Sequence, residues 1–189
     1  MELNVFDFDN TIYDGDSTLD FYIFCLKEDK TLIRYLPIQT YAFILYKLHI
    51  KKKIYFKTKF FSFLKGLNNV DEKVKKFWNK NECKIKKWFL NMKPNNIVII
   101  SASPEFLLKE ICNRINIDNI IASIVDKNTG EFKSENCYGT EKVQRLNKKY
   151  NTYVINEFYS DSKSDLPLAN ISKHSYIVKG NEVLKWRLK

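Results

Sequence analysis

The sequence is poor in the residues that build metal cages from soft ligands. It has two histidines and four cysteines (Cys25, Cys83, Cys112 and Cys137), spread along the chain with no C-x-x-C pair. That spacing argues against a zinc site and leaves reduced thiols in a cytosolic chain as the expected state. No basic-then-apolar leader is visible at the N-terminus, which enters an acidic strand instead, so a secretory signal is not expected. The longest apolar stretch, Tyr35 to Tyr46, contains Pro37 and Gln39 and is too short to span a bilayer. No motif of a known nucleic-acid-binding module is present. The resulting expectation is a cytoplasmic protein, peripheral to a membrane at most.

Apolar material is ample. Of 189 residues, 44% are hydrophobic and 15% aromatic, which suits one medium domain or a core with an inserted subdomain and argues against disorder. Charge is unevenly placed. Residues 27–93 hold 18 Lys or Arg and five Asp or Glu, a net +13, while the rest of the chain nets −3 within a total of +10. A lysine-rich solvated face accounts for that excess, since only four of the 32 basic residues are Arg. The same excess also suits an electropositive surface that attracts anionic substrates or lipid headgroups.

The chain opens on Val5-Phe6-Asp7-Phe8-Asp9-Asn10-Thr11-Ile12, an apolar run of the kind a buried parallel strand needs, carrying two carboxylates one residue apart. Asp7 and Asp9 share strand parity and point the same way at its C-terminal end. Two like charges so close repel, and a divalent cation or a shared proton relieves them. Tyr13 to Ser17 reads as a turn, with Asp16 or Ser17 capping a helix over Thr18–Lys27. From there to about Met92 apolar residues recur at helical spacing, punctuated by Pro37, Gly66 and Pro94.

Strand character returns at Asn96–Ile100 and ends in Ser101-Ala102-Ser103-Pro104. Ser103 suits an N-cap, and Pro104 the first position of a helix over Glu105–Arg114. An apolar run covers Ile120–Val125, a turn Asp126–Gly130 and a short hairpin Glu131–Tyr138. Thr140 would cap a helix over Glu141–Tyr150. A strand over Tyr153–Tyr159 ends in Ser160-Asp161, and a short helix Leu166–Ile171 precedes a last strand, Ser175–Lys179. The expected fold is α/β: a doubly wound, mostly parallel sheet forming a Rossmann-like core over residues 1–14 and 93–189, with an inserted all-helical cap over 15–92. In such a fold the site lies at the C-terminal strand ends.

DFDNT, residues 7–11, resembles the first motif of the haloacid dehalogenase superfamily of phosphohydrolases, DxDx[TV]. YSDSKSDLPLA, residues 159–169, resembles the fourth motif of its phosphoserine-phosphatase-like branch. Ile99–Pro104 and Gly139–Lys142 fall between them in the family's order, so the resemblance reaches from Val5 to about Lys179. That branch carries a helical cap between its first and second motifs. Taken singly, Ser101 is an ordinary helix-entry serine, Lys142 a solvated lysine, and Asp161 and Asp165 a capping turn; their joint order is the signal. Four positions depart from the commonest pattern: Asn10 and Ser160 stand where glycine is usual, and Ala102-Ser103 replaces Gly-Gly.

The resemblance implies Asp7 as nucleophile, Asp9 as general acid and base, Ser101 as a donor to the phosphoryl group, and Lys142 as the cation that offsets its charge. Ser101, Ala102 and Lys142 would bind substrate. Mg²⁺ would be held by the Asp7 carboxylate, the Asp9 carbonyl and Asp161, with Asp165 acting through water or by orienting Lys142. The implied activity is hydrolysis of a small soluble phosphorylated metabolite through an aspartyl-phosphate. A lipid-phosphate phosphatase at an anionic membrane surface uses the same parts. A third reading, of a different class, makes the chain a non-catalytic binding module that docks through its basic cap, although nucleic acid is not expected as a partner.

Overall fold

The N-terminal apolar run forms β1 (Glu2–Phe6), in which Leu3 and Val5 pack to one side and Phe6 to the other. Burial on both faces is what a central parallel strand requires. With β2 (Ile97–Pro104), β3 (Ile120–Ser123), β4 (Val154–Ser160), β5 (Ser172–Lys179) and β6 (Glu182–Lys185) it forms one sheet of order β3-β2-β1-β4-β5-β6. All pairs are parallel except β5 with β6. The computed structural model describes residues 1–92 and 94–187. The expected start of the second core segment at residue 93, and its last two residues, lie outside them.

Between β1 and β2 run α1 (Ser17–Glu28), α2 (Leu36–Lys47), α3 (Lys53–Phe60), α4 (Val70–Asn81) and α5 (Lys87–Met92). Then α6 (Glu105–Arg114), α7 (Thr140–Lys149) and α8 (Leu166–Ala169) alternate with the later strands. Leu146 of α7 and Leu168 and Ala169 of α8 cover the sheet face of Leu3, Val5, Val98 and Ile100. The opposite face, with Phe6 and Ile99, is covered by α6 and by the helices that follow β1. Trp78 of α4 is central there. Its ring meets Phe8 and Tyr13 edge-on at 6.0 and 5.5 Å, and its indole N–H donates to the Leu107 carbonyl at 2.8 Å. The inserted helices thus share the buried cluster of the sheet.

Several local expectations are corrected. The first strand stops at Phe6 and does not run to Ile12, because the Phe8 carbonyl accepts from the amides of Thr11, Ile12 and Tyr13 and closes a tight turn. Asn10 enters that turn with φ of 55°, a left-handed conformation that Asn tolerates best after glycine. Asp16 does cap α1, accepting from the Leu19 amide at 2.9 Å. Ser103 and Thr140 are not caps: Pro104 and Gly139 occupy those positions without side-chain bonds. The hairpin over 131–138 reduces to a single bridge, Val125 with Phe132. Gly130 is required beside it, since a Cβ there would lie 2.2 Å from the Phe61 carbonyl oxygen. β6 carries no sequence signal because all four of its residues are exposed.

Candidate active site

Asp7 leaves the sheet directly after β1, and its amide still bonds the Tyr159 carbonyl at 2.9 Å. Phe6 pairs with Ile99 on one side and Tyr159 on the other. Ser101 and Asp161 therefore lie two residues beyond its partners, flanking the chain as it leaves β1. The order of strands reverses at β1, which opens a crevice at this edge.

Lys142, in the first turn of α7, reaches the crevice from the opposite layer. Its ammonium donates to Asp7 Oδ1 and to Asp165 Oδ2, both at 2.7 Å. Ser160 also donates to Asp165 Oδ2, at 2.8 Å, so the departure from glycine at 160 supplies a hydrogen bond. Thr11 links two acids: it donates to Asp7 Oδ2 at 3.3 Å and accepts from the Asp161 amide at 3.0 Å.

Asp9 has separate partners. Oδ1 accepts from the Ser17 amide at 2.7 Å, one of the unpaired N–H groups at the start of α1, and Oδ2 accepts a short bond from the Ser103 hydroxyl. Thr18 lies 2.8 Å from the Ser103 oxygen, and the Ser103 amide donates to Ser101 Oγ at 3.0 Å. The serine that departs from Gly-Gly is therefore a partner of the second aspartate. Asp9, Ala102 and Ser103 line a cavity of about 370 Å³ with Lys53, Phe56 and Lys57 of α3. Asp7 and Lys142 are not among its lining residues.

The electrostatics follow from burial. Asp7 is pushed up to about 7 by loss of solvent; Lys142 opposes this, and the Asp165 carboxylate adds to it. Asp9 is raised to about 6 by burial and then by Asp16, against the hydrogen bonds from Ser103 and Ser17. Asp161 is raised by burial and by Asp165. Burial would lower Lys142, but Asp7 and Asp165 outweigh it and hold the ammonium charged.

Asp7 and Asp165 thus share one buried ammonium, the carboxyl of Asp161 is raised by burial and by the nearby Asp165, and among the described residues Asp165 Oδ1 is buried without a hydrogen-bond partner. That excess of negative charge fits a hard divalent cation that takes one or two carboxylates and keeps its own waters, as Mg²⁺ does. It is not a closed cage: among the described residues no three His, Cys, Asp or Glu side chains are grouped to hold a metal.

A pH dependence follows. The folded chain holds a proton on Asp7 up to about pH 7, against 3.8 for an ordinary Asp. This contribution to stability is complete below the unfolded value and is lost as pH rises through the folded one. Metal-free protein is expected to melt progressively lower between about pH 4 and about pH 7. Either Mg²⁺ or Asp7→Asn should weaken the trend, the variant keeping the part that Asp9 contributes up to about pH 6. A melting temperature that stays level across that range in metal-free wild type would contradict it.

Two lysines contribute contacts that sequence reasoning did not single out. Lys57 donates to the Ala102 carbonyl and to Asn136 Oδ1, both at 2.9 Å, and burial together with Lys53 lowers it to about 8. Lys86 donates to the carbonyls of Asn10, at 2.5 Å, and Gly180, at 2.6 Å, tying the turn after β1 to the β5–β6 turn. Neither had a signal within a chain of many lysines. Thr11 and Ser103 lie inside local motifs, but nothing local marks them as partners of Asp7 and Asp9.

A model of the family described as haloacid dehalogenase-like hydrolase matches residues 5–170. The histidinol-phosphatase of Neisseria meningitidis serogroup C (strain 8013) is 30% identical over a stretch covering 42% of this chain and 41% of that protein. The chain therefore matches less than half the length of that relative. Among solved structures, a Bordetella pertussis Tohama I protein of unknown function has a TM-score of 0.77 at 17% identity, covering 92% of this chain and 88% of that one. A phosphoserine phosphohydrolase-like protein from Francisella tularensis subsp. tularensis SCHU S4 has a TM-score of 0.57 at 18% identity, with 93% and 86% covered. These structural likenesses concern the fold.

Proposed function

The chain belongs to the haloacid dehalogenase-like hydrolase family, and from that membership we propose that it is a Mg²⁺-dependent phosphomonoester hydrolase working through an aspartyl-phosphate on Asp7. One observation carries the proposal: the two aspartates are held by different partners. Lys142 and Thr11 hold Asp7, whereas the Ser17 amide and Ser103 hold Asp9 beside the cavity. Environments that differ in this way suit a nucleophile and an acid–base group.

In the first half-reaction a carboxylate oxygen of Asp7 attacks phosphorus as the ester P–O bond breaks, and the Asp9 carboxyl gives its proton to the departing oxygen. In the second, ionised Asp9 takes a proton from water while the water oxygen attacks phosphorus. The P–O bond to Asp7 then breaks, releasing phosphate. Ser101 donates to a phosphoryl oxygen beside the Ala102 backbone. Lys142, oriented by Asp165, offsets charge on Asp7 and the phosphoryl group. The Asp7 carboxylate, the Asp9 carbonyl and Asp161 would hold Mg²⁺, which supplies further charge neutralisation when bound. Within the inserted residues 15–92, the start of α1 and α3 wall the cavity and act as the cap over the substrate, while α4 packs on the sheet with the catalytic core.

The substrate class is a small phosphorylated metabolite. A cavity of about 370 Å³ beside Asp9 suits a leaving group of that size, and the curated relative's name, histidinol-phosphatase, supports the same class. The test is release of phosphate from an aryl phosphate and from a panel of phospho-amino acids, sugar phosphates and lipid phosphates, with and without Mg²⁺. Turnover is expected with Mg²⁺ and should stop on chelation. Activity surviving complete chelation would overturn the metal assignment, and no turnover of any panel member would overturn the hydrolase reading.

A further inference from the structure

Residues 30–70 contain eight lysines, one arginine and no acidic residue at all. Within that stretch α2 turns Gln39 and Ala42 inward; Gln39 accepts from the Tyr22 hydroxyl at 2.5 Å and donates to the Phe60 carbonyl at 2.8 Å. The outer side carries Pro37, Tyr41 and Ile44, with Leu48 just past the last turn, spaced three or four residues apart and therefore on one stripe. Tyr41 is 55% exposed, Ile44 49% and Leu48 62%. Lys30, Arg34, Lys47, Lys51 and Lys52 surround them, all exposed.

We propose that this face docks on the surface of an anionic lipid bilayer, with the apolar stripe entering the headgroup region and the surrounding cations meeting lipid phosphates. Contiguous apolar side chains this exposed mark a surface that something covers. A second copy of the chain would set two such clusters of five exposed cations against one another. A nucleic acid would satisfy the cations and leave the apolar stripe in water. An anionic bilayer answers both features together. The attachment lies on the surface, since among the described residues no helix is long and apolar enough to cross a membrane.

The docked face is joined to the cavity. Phe56 of α3 meets Phe43 at 5.4 Å, stacks on Tyr46 at 5.8 Å and lines the space beside Asp9. Attachment through α2 therefore holds the cavity wall about one helix spacing, roughly 10 Å, from the headgroups. The docking does not depend on which phosphomonoester is hydrolysed.

The test is co-sedimentation of the full chain with vesicles of phosphatidylcholine alone, and of phosphatidylcholine and phosphatidylglycerol in a two-to-one ratio. Binding is expected with the anionic vesicles only, weakened about tenfold or more by high salt. Ile44→Asp with Leu48→Asp should weaken it by about tenfold or more as well. Both side chains are exposed and touch no proposed catalytic group, so hydrolysis of a soluble aryl phosphate should be unchanged. The proposal is overturned if wild type ignores anionic vesicles, binds neutral ones equally, or keeps its binding after the double substitution. It is also overturned if the wild type forms a dimer in solution that the substitutions dissolve, since a second copy then covers the face. Vesicle binding without turnover of any phosphomonoester would count against the hydrolase proposal and leave this one standing.

Discussion

Asp7→Asn is expected to lower phosphomonoester turnover by about 10⁴-fold or more, because the amide cannot form the covalent phosphoryl intermediate. The fold should not suffer. Asp7 is one of two carboxylates on a single ammonium, and burial already disfavours its ionised form. Removing that charge leaves Lys142 paired with Asp165. In metal-free buffer near neutral pH the variant should melt at or above the wild-type temperature. Loss of activity with retained or raised stability distinguishes a chemical role from a structural one. Turnover near the wild-type level would remove Asp7 as nucleophile.

Lys142→Met is expected to damage both activity and stability. Among the described residues its ammonium is the one hydrogen-bond donor shared by Asp7 and Asp165, and the lysine is 2% exposed. Replacing it leaves two buried carboxylates facing one another with no cation between them, and breaking a buried ion pair on one side costs about 3–5 kcal/mol. Urea unfolding near pH 8 in metal-free buffer should read that loss. Acidification that protonates Asp7 should recover part of it, since the uncompensated charge is then removed. Activity should fall by about 10³-fold or more through loss of transition-state charge stabilisation. A fully stable and active Lys142→Met would mean that the ion pair contributes neither to the site nor to the fold.

The family was legible because its two signature motifs are local. DFDNT joins an apolar strand to a tight turn within a few residues, and SDSKSD places an acid directly after a second strand, so chemistry and chain direction are written together. The helical stretch was equally readable from the apolar spacing of residues such as Phe77, Trp88 and Phe89 and from the lack of strand alternation. The partners of the two aspartates were not. Ser103 precedes a helix and has an N-cap's residue type, yet its hydroxyl goes to Asp9, which lies 94 positions away in sequence. Lys57 was one lysine among many until α3 carried it against the Ala102 carbonyl. β6 escaped notice because an exposed edge strand needs no apolar periodicity.

The α/β class, the helical insert and the order of the motif residues along the chain are all written locally, since they depend on spacing and on neighbours a few residues apart. The tertiary structure decided how charge is shared. That Lys142 serves both Asp7 and Asp165, while Asp9 turns to the first amide of α1, follows from three strand ends and two helix starts meeting at one sheet edge. Burial at that edge, which no local pattern records, raises both aspartates toward neutral pH. The outer stripe of α2 divides in the same way: its spacing is written in the sequence, but only packing shows that Gln39 faces inward and Ile44 faces outward. A period of 3.6 residues defines two faces of a helix, and the neighbours that fold against it decide which one is left to solvent.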